Sequence, residues 1–327
     1  MSDSTDRIIA LAKHEFRSAV RSKILIVLLG ILITVTAVSV YIASVDYASK
    51  LADYQAYRTA AQASGLDRIA PSPLAALSLL RGAIEYIEII GAVIAITLGY
   101  LTIARERANR TLTLIRSRPV TTGELAAGSL LGALAVIAIL VAISSIVGVV
   151  CVGVIGHDWI NAFQALQLLL AFIAAILYMG TFYCLGAIVT AKSRVAVNGL
   201  MIALGIWLIV VLVLPQIGDT MDADNQLPGG LFKALGFGHD GEVQILTHFT
   251  TYERIRTWTE EASLAKHFER FSFAMTDVKE RYRPFGLPWL LGQTRNDTGW
   301  LVVYSTALFA TLRRTFKQQP TIPDGGN

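Results

Sequence analysis

LAAGSLLGALAVIAILVAISSIVGVVCVGVI, residues 125–155, is a stretch of 31 residues without a single charge. A helix needs about 20 apolar residues to cross the hydrocarbon core of a bilayer, so this stretch is long enough to span a membrane. Four further stretches of comparable length carry no more than two charges each, and they occupy residues 24–45, 82–103, 165–191 and 195–217. A sixth stretch, residues 298–312, is only 15 residues long, and we interpret it as a sixth span.

The composition agrees with this pattern. Of the 327 residues, 54% are hydrophobic and 16% are charged, and the mean hydropathy is +0.55. Soluble domains carry about 25% charged residues. These values exclude a soluble enzyme, a nucleic-acid-binding domain and a disordered chain. They predict an all-α polytopic membrane protein with six transmembrane helices, an N-terminal amphipathic interface helix and a helical extracytoplasmic insertion between spans 5 and 6.

The distribution of Lys and Arg predicts the orientation. Basic residues concentrate before span 1, in the 2–3 and 4–5 connections and after span 6, whereas the 3–4 connection has none. Because basic loops stay inside, both termini are predicted to be cytoplasmic, in the cell membrane. The predicted parts are a cytoplasmic helix at 1–23, spans 1–5 at 24–217 with an outer loop at 46–81 and a cytoplasmic coupling segment at 104–124, an extracytoplasmic insertion at 218–286, and span 6 with its tail at 287–327.

The N-terminal segment, residues 6–22, has the pattern of an amphipathic helix. Such a helix lies at the membrane interface with its basic side among the headgroups. It is either a juxtamembrane anchor or a docking helix for a cytosolic partner, and this segment alone favours the anchor. The apolar side carries Ile9, Ala12, Phe16 and Val20, and the basic side carries Lys13, Arg17 and Arg21.

The segment between spans 5 and 6 is patterned as well. From residue 245 its apolar residues recur mostly at steps of three or four, which predicts an amphipathic helix and a small helical cap outside the membrane. Three histidines of this loop, His239, His248 and His267, show no metal-ligand spacing, so we interpret them as solvated or partner-facing. The apolar positions are Phe249, Tyr252, Ile255, Trp258, Ala262, Phe268, Phe271, Met275, Val278 and Tyr282.

The connection between spans 2 and 3 reads RERANRTLTLIRSRPVTTGELAAGSLLG, residues 105–132. Pro119 disfavours helix at the residue before it, and Thr121 with Glu124 forms a capping box that starts a new helix. The order is therefore helix, turn, helix. Retention of basic loops inside explains the five arginines of this segment. It does not explain the apolar cluster among them, which suggests contact with another protein.

This connection resembles that of permease subunits of ABC-2 type ATP-binding-cassette transporters, in particular the six-span permeases like the one in the nitrous-oxide-reductase maturation system. Arg110 stands where that family usually has Gly, and Ser129 where it often has Lys. Residues 10–23 also resemble the opening helix of that family, and residues 70–78 its segment ahead of span 2. The matching positions are Glu106, Thr111, Leu112, Ser117, Arg118, Pro119, Val120 and Gly128.

The resemblance implies a permease that works as a dimer, either a homodimer or a pseudo-dimer with a close paralogue, and is not itself an enzyme. A separate ABC ATPase subunit would hold ATP and Mg and dock on the opening helix and the 2–3 connection, while this chain would have no catalytic, cofactor or metal residues of its own. The chain indeed contains no phosphate-binding loop motif. Other partners would be the lipid bilayer and an extracytoplasmic protein bound by 218–286, with no nucleic acid. The predicted coupling residues are Phe16, Arg17, Glu106, Arg110, Thr111, Leu112, Ile115, Arg116, Arg118 and Pro119.

Two carboxylates lie inside predicted span 2. Glu85 and Glu88 are three residues apart, and carboxylates within a membrane are functional candidates. They would serve a proton-linked or cation-binding site in a secondary transporter or channel. Arg81, four residues before Glu85, offers an ion pair instead, and we favour that structural role. A membrane assembly or anchor subunit without transport activity is a further alternative, although it explains the 2–3 connection poorly.

Overall fold

The computed structural model describes residues 2–64, 75–108, 121–221, 231–236, 241, 245, 249–278, 282 and 286–318. These residues are helical almost throughout and include no strand, as the composition predicts. The helices are α1 Ser2–Val20, α2 Lys23–Ala63, α3 Ala76–Ala108, α4 Thr122–Val154, α5 Ala162–Lys192, α6 Ala196–Met221, α7 Thr250–Glu261, α8 Leu264–Met275, α9 Leu287–Gln293 and α10 Arg295–Gln318. One further helical turn covers Leu231–Ala234.

Five of these helices, α2 to α6, are long and apolar enough to cross a membrane. Each contains one of the five long apolar stretches, so those predictions are confirmed at this level. The sixth stretch lies in α10, which has Arg295 and Asp297 in its first turn and Lys317 in its last turn. Because of its polar ends α10 is not among the candidate spans of the described residues, and the sixth span stays a prediction.

The first long helix differs from the expected boundary. We predicted that span 1 ends at residue 45, but α2 continues to Ala63. Residues 46–63 contain neither Gly nor Pro, so nothing in the local sequence stops the helix. An ion pair of 2.6 Å joins Lys50 to Asp46, and the Tyr47 hydroxyl donates to Asp158 at 2.7 Å. Much of the predicted outer loop 46–81 is therefore a helical extension of span 1.

The centre of the bundle is the crossing of α3 and α5. Gly99 of α3 lies so close to α5 that a Cβ there would be 2.3 Å from the carbonyl oxygen of Tyr183. Gly186 of α5 is its counterpart, because a Cβ there would be 2.4 Å from the carbonyl oxygen of Ile96. Small residues allow such backbone contact in membrane bundles. Side chains around this crossing form the main core.

Two spans contain a π-helical turn, Ile87–Gly91 in α3 and Leu208–Val213 in α6, and the two turns contact each other. In each turn one carbonyl accepts a bond from a hydroxyl of another element. Tyr178 of α5 donates to the Glu88 carbonyl at 2.8 Å, and Ser263 donates to the Val210 carbonyl at 2.7 Å. Widened turns are frequent at functional sites. These hydroxyls satisfy backbone groups that water cannot reach in a bilayer.

The amphipathic run that we predicted from residue 245 is divided between two helices, α7 and α8. The chain breaks at Ser263, whose hydroxyl accepts the Lys266 N–H at 3.3 Å and starts α8. Phe268 and Met275 of α8 are buried in the main core between α5 and α10. The apolar residues of α7, such as Trp258, are exposed instead. The apolar spacing is continuous, but the two halves face different surroundings.

Candidate coupling site at the α1 end of the bundle

Helix α1 packs along the start of α4 through two glycines. A Cβ at Gly128 would lie 2.5 Å from the Leu11 Cβ, and one at Gly132 would lie 2.6 Å from the Ala12 carbonyl oxygen. Neither position has room for a side chain. The residue numbers of both helices rise together along the contact, so α1 and α4 run in the same direction. Gly128 and Gly132 thus allow close packing of span 3 against α1.

An ion pair joins the first turns of these two helices. Arg7 Nη2 donates to Glu124 Oε1 at 2.8 Å, and the Ser4 hydroxyl donates to the same oxygen at 2.6 Å. The other oxygen, Glu124 Oε2, accepts the Thr121 N–H at 2.8 Å, while Thr121 Oγ1 accepts the Glu124 N–H. The predicted capping box is confirmed. The Glu124 carboxylate therefore caps the N-terminus of α4 and also binds Arg7 and Ser4 of α1.

A second ion pair joins α1 to the end of α3. Glu15 is only 8% exposed, and its Oε1 accepts from Arg105 Nη2 at 2.8 Å and from the Thr102 hydroxyl at 2.7 Å. Arg105 also donates to the Leu101 carbonyl at 3.0 Å. Hydrogen bonds to charged groups contribute about 1.5–3 kcal/mol each. We call the Arg7–Glu124 and Glu15–Arg105 pairs the α1 clamp.

The last turn of α3 also contacts the end of α5. Arg107 donates to the Ala191 carbonyl at 2.7 Å and to the Ser193 carbonyl at 2.8 Å. The final carbonyls of a helix have no partner within it, and a cation there satisfies them and the negative end of the helix dipole. The end of α3 is thereby linked to α1, through the clamp, and to the 4–5 connection.

Glu106 lies between the two arginines of this turn. Its Oε2 is buried and makes no hydrogen bond within the described residues. A buried polar atom without a partner is rare in folded proteins. The connection that follows Ala108 begins one turn later along the chain. The coupling role of Glu106 stays a prediction.

The other predicted coupling residues divide into two sets. Phe16 is half-buried and Arg17 is exposed on α1. Seven lie outside the described residues, namely Arg110, Thr111, Leu112, Ile115, Arg116, Arg118 and Pro119. Their role stays a prediction. The described residues place the two ends of their segment, Ala108 and Thr121, at helices that the clamp joins to α1.

The face of α1 that packs differs from the expected one. Ile9 and Val20 of the predicted apolar side are 45% and 49% exposed, whereas Glu15 and Ala19 are buried. The reason is the partner of Glu15, since a paired carboxylate can be buried next to Arg105. The basic side is exposed as predicted and lines an open groove, formed by Ala10, Lys13, His14, Arg17, Ser18 and Arg21.

Sequence reasoning missed the residues of the clamp. Arg7 and Arg105 count in the sequence only as basic residues of cytoplasmic segments, and no pattern gives Glu15 a role. One signal was available, because Gly128 and Gly132 are four apart and this spacing marks close helix contact. The spacing does not say which helix approaches. Only the structure shows that α1 does.

The two carboxylates of span 2 face different surroundings. Glu85 pairs with Arg81 at 2.8 Å, as the spacing predicts. Glu88 is 8% exposed, and its carboxylate makes no hydrogen bond or ion pair in the described part of the chain. Glu269 and Lys266 of α8 lie within electrostatic range of it. The carboxylates therefore do not form a symmetrical pair.

Helix α8 is held by polar contacts at this opposite end of the bundle. Lys266 Nζ donates to Asp219 at 2.8 Å and bonds Glu269 at 2.9 Å. Burial by itself would lower the pKa of Lys266, but Glu269 and Asp219 outweigh burial and raise that pKa above its ordinary value. His267, which we expected to be solvated, is 1% exposed and bonds Asp297 at 2.8 Å. These contacts explain how a helix with charged residues can be buried.

Comparison with known families gives the same assignment as the 2–3 connection. Residues 9–319 match the family described as ABC-2 family transporter protein. The chain belongs to that family. The match covers α1 from residue 9, all the candidate spans and α10. A search of curated proteins gave no match.

As a member of the ABC-2 family, the chain is a multi-pass membrane protein and a permease component of an ABC transporter. Permeases of this family associate with an ATP-binding subunit. Within the described residues, no group of three or more His, Cys, Asp or Glu could hold a metal ion. We therefore take the α1 end of the bundle as the candidate site for contact with the ATP-binding subunit.

Proposed function

We propose that this chain is the membrane half of an ATP-driven transporter in the cell membrane, with both termini in the cytoplasm. Two copies form a two-fold dimer, since closed two-fold symmetry is the commonest assembly. A separate subunit on each copy holds ATP and Mg and hydrolyses ATP. The family membership supports the permease role, and the nitrous-oxide-reductase maturation permeases are the proposed relatives within it.

In this proposal α10 is the sixth span. A helix of 24 residues is about 36 Å long, which exceeds a hydrocarbon core of about 30 Å. It packs against α5, where the hydroxyls of Thr181 and Ser305 are 2.7 Å apart. Leu301 and Leu312, three turns apart, are both buried. An even number of spans brings the C-terminus to the same side as the N-terminus.

The observation that carries the proposal is the α1 clamp. It joins α1 to the end of α3 through Glu15 and to the start of α4 through Glu124. The 2–3 connection lies between these two helix ends. A force applied to the connection by the ATP-binding subunit therefore reaches α1, α3 and α4 together. The three helix ends then move together, because separating these partly buried ion pairs would leave Glu15 and Glu124 unpaired.

The contact with the ATP-binding subunit uses the connection and the exposed side of α1. Leu112 and Ile115 are three residues apart, so on a helix they share one face and fill an apolar groove of the partner. Arg110 and Arg116 flank them. Apolar anchors carry most of the energy of an interface, and charges at the rim carry less. Phe16 and Arg17 contribute a second, smaller contact.

The test is a double substitution, Leu112→Asp with Ile115→Asp. We expect loss of the ATP-binding subunit on co-purification and loss of transport-linked ATP turnover in reconstituted vesicles. Membrane insertion should be unchanged, because both positions lie outside the spans. Arg116→Ala is the matched control and should weaken binding less, with an effect that fades at high salt. Full binding and full turnover in the double variant would exclude this connection as the coupling element.

The dimer has a separate test. Mass measurement of the permease in mild detergent should give two copies of the 35.5 kDa chain. A strict monomer that still transports would contradict the dimer and leave the assignment as a permease intact.

Burial of Glu88 favours a second candidate, an ion-coupled transporter or channel. A carboxylate in this position costs free energy unless it binds a proton or a cation. Glu88→Gln keeps the shape and removes the charge. Transport that persists in this variant and still needs ATP supports the ABC permease. Transport that no longer responds to an ion gradient supports the second candidate.

A further inference from the structure

Helix α7 exposes large apolar side chains, while two of its charged side chains are largely buried. Its charged residues Arg256 and Glu260 are turned toward the bundle, with side chains 22% and 19% exposed. Its apolar residues Tyr252, Ile255 and Trp258 are 46%, 55% and 74% exposed. Ile255 and Trp258 lie on the side of the helix away from Glu260, and Tyr252 lies at the edge of that side, one turn before Arg256. A helix on the surface of a soluble protein shows the opposite arrangement. Large apolar side chains exposed on the side away from these charges favour apolar surroundings for that side of α7.

The position of α7 relative to α6 shows what those surroundings are. Helix α7 packs against the last turns of α6, and the Glu260 side chain lies over Gly218, so close that a Cβ there would be 2.7 Å from Cγ of Glu260. Glu260 in turn pairs with Arg270 of α8. These contacts fix α7 at the level where the fifth candidate span ends.

The end of α6 against which α7 packs also exposes apolar residues. Val213 and Ile217 of α6 are 42% and 43% exposed and lie one turn apart. They line an apolar groove together with Leu212, Gln216, Thr220 and Met221. Trp and Tyr concentrate where the hydrocarbon core meets the headgroups, because one part of each ring is apolar and another is polar.

With the topology of the proposed function, on which this inference rests, we propose that α7 lies in the outer leaflet of the bilayer and binds lipid through Ile255 and Trp258, with Tyr252 at the edge of that side. Its long axis lies along the membrane surface, with the charged side against α6 and α8. The exposed Arg254, one turn before Trp258, extends its long side chain to the headgroup phosphates. The insertion between spans 5 and 6 is then a membrane-seated helix and not only a cap in the aqueous phase.

Site-directed spin labels in lipid nanodiscs test this placement. Ile255→Cys puts a label on the apolar side, and Thr257→Cys, two residues away and exposed, puts one about 200° around the helix, from about 100° per residue. Native Cys151 and Cys184 lie in the spans and are replaced by Ala in both variants. Trp258→Cys is a second site on the apolar side in case Ile255→Cys fails to fold.

We expect the label at 255 to collide with oxygen dissolved in the bilayer and to be shielded from a water-soluble nickel chelate. The label at 257 should show the reverse ratio. Equal nickel access at both sites would place the apolar side in water and overturn the proposal. Shielding of 255 from both reagents would also overturn it, because a protein surface, such as a second copy of the chain, would then cover the helix.

Discussion

The contact between α1 and α3 predicts a measurable coupling energy between Glu15 and Arg105. Replacing Glu15 with Ala removes the bonds of 2.8 Å to Arg105 and 2.7 Å to Thr102. Thr102 keeps its bond to the Leu98 carbonyl, and Arg105 keeps its bond to the Leu101 carbonyl. The variant therefore leaves a half-satisfied cation and no wholly orphaned group.

The magnitude follows from the burial of the two partners. Breaking a fully buried pair costs about 3–5 kcal/mol. The Arg105 side chain is 27% exposed, so water recovers part of that loss. We expect Glu15→Ala to lower the free energy of unfolding by about 2 kcal/mol, and the pairwise coupling to be about 1–2 kcal/mol, given the net value of charged hydrogen bonds.

The assay is a double-mutant cycle of Glu15→Ala and Arg105→Ala, measured by reversible denaturant unfolding in detergent. The exposed pair Arg81–Glu85, with side chains 63% and 42% exposed, is the matched control. Its cycle should give only about 0.3–0.5 kcal/mol. ATP turnover with the bound ATP-binding subunit reports function, and Glu15→Ala should lower it more than Glu85→Ala.

Additive effects of the two substitutions would refute the reasoning about the clamp. Equal coupling in the clamp and in the control would do the same, because burial would then add nothing. Normal ATP turnover in Glu15→Ala with a full loss of coupling energy would keep the contact and reject its role in transmission.

Three further predictions concern packing and charge. Gly132→Ala should destabilise the fold by about 1–3 kcal/mol through overpacking against α1, whereas Gly30→Ala, which meets nothing within 4 Å, should stabilise it by about 0.5–1 kcal/mol in a thermal melt. Tyr178→Phe should keep the ring packing but lower stability by about 1–3 kcal/mol, since the Glu88 carbonyl loses its donor. Because the pKa of Lys266 is raised in the folded protein, the stabilisation from its charge should be complete below its ordinary pKa of 10.5 and fall only as the pH rises through the higher folded pKa. A loss of unfolding free energy in Lys266→Met that changes between pH 7 and pH 9 would contradict this.

Local patterns in the sequence determined much of this protein. Uncharged stretches of about 20 residues predict membrane helices, because a bilayer accepts no unpaired backbone and little charge. The capping box of Thr121 with Glu124 and the ion pair of Arg81 with Glu85 follow from spacings of three and four residues along one helix. The location of the candidate site was also visible, since the opening helix and the 2–3 connection carry the family pattern.

Contacts between distant segments were decided only by the tertiary structure. Glu15 and Arg105 are 90 residues apart, and no spacing rule relates them. The stripe from Phe249 to Tyr282 has one period, but its first half faces outward and its second half is buried, because Lys266 and His267 find partners on other helices. Periodicity reports which residues share a face of a helix. What that face meets depends on the neighbouring helices, and their arrangement is not encoded in any single segment.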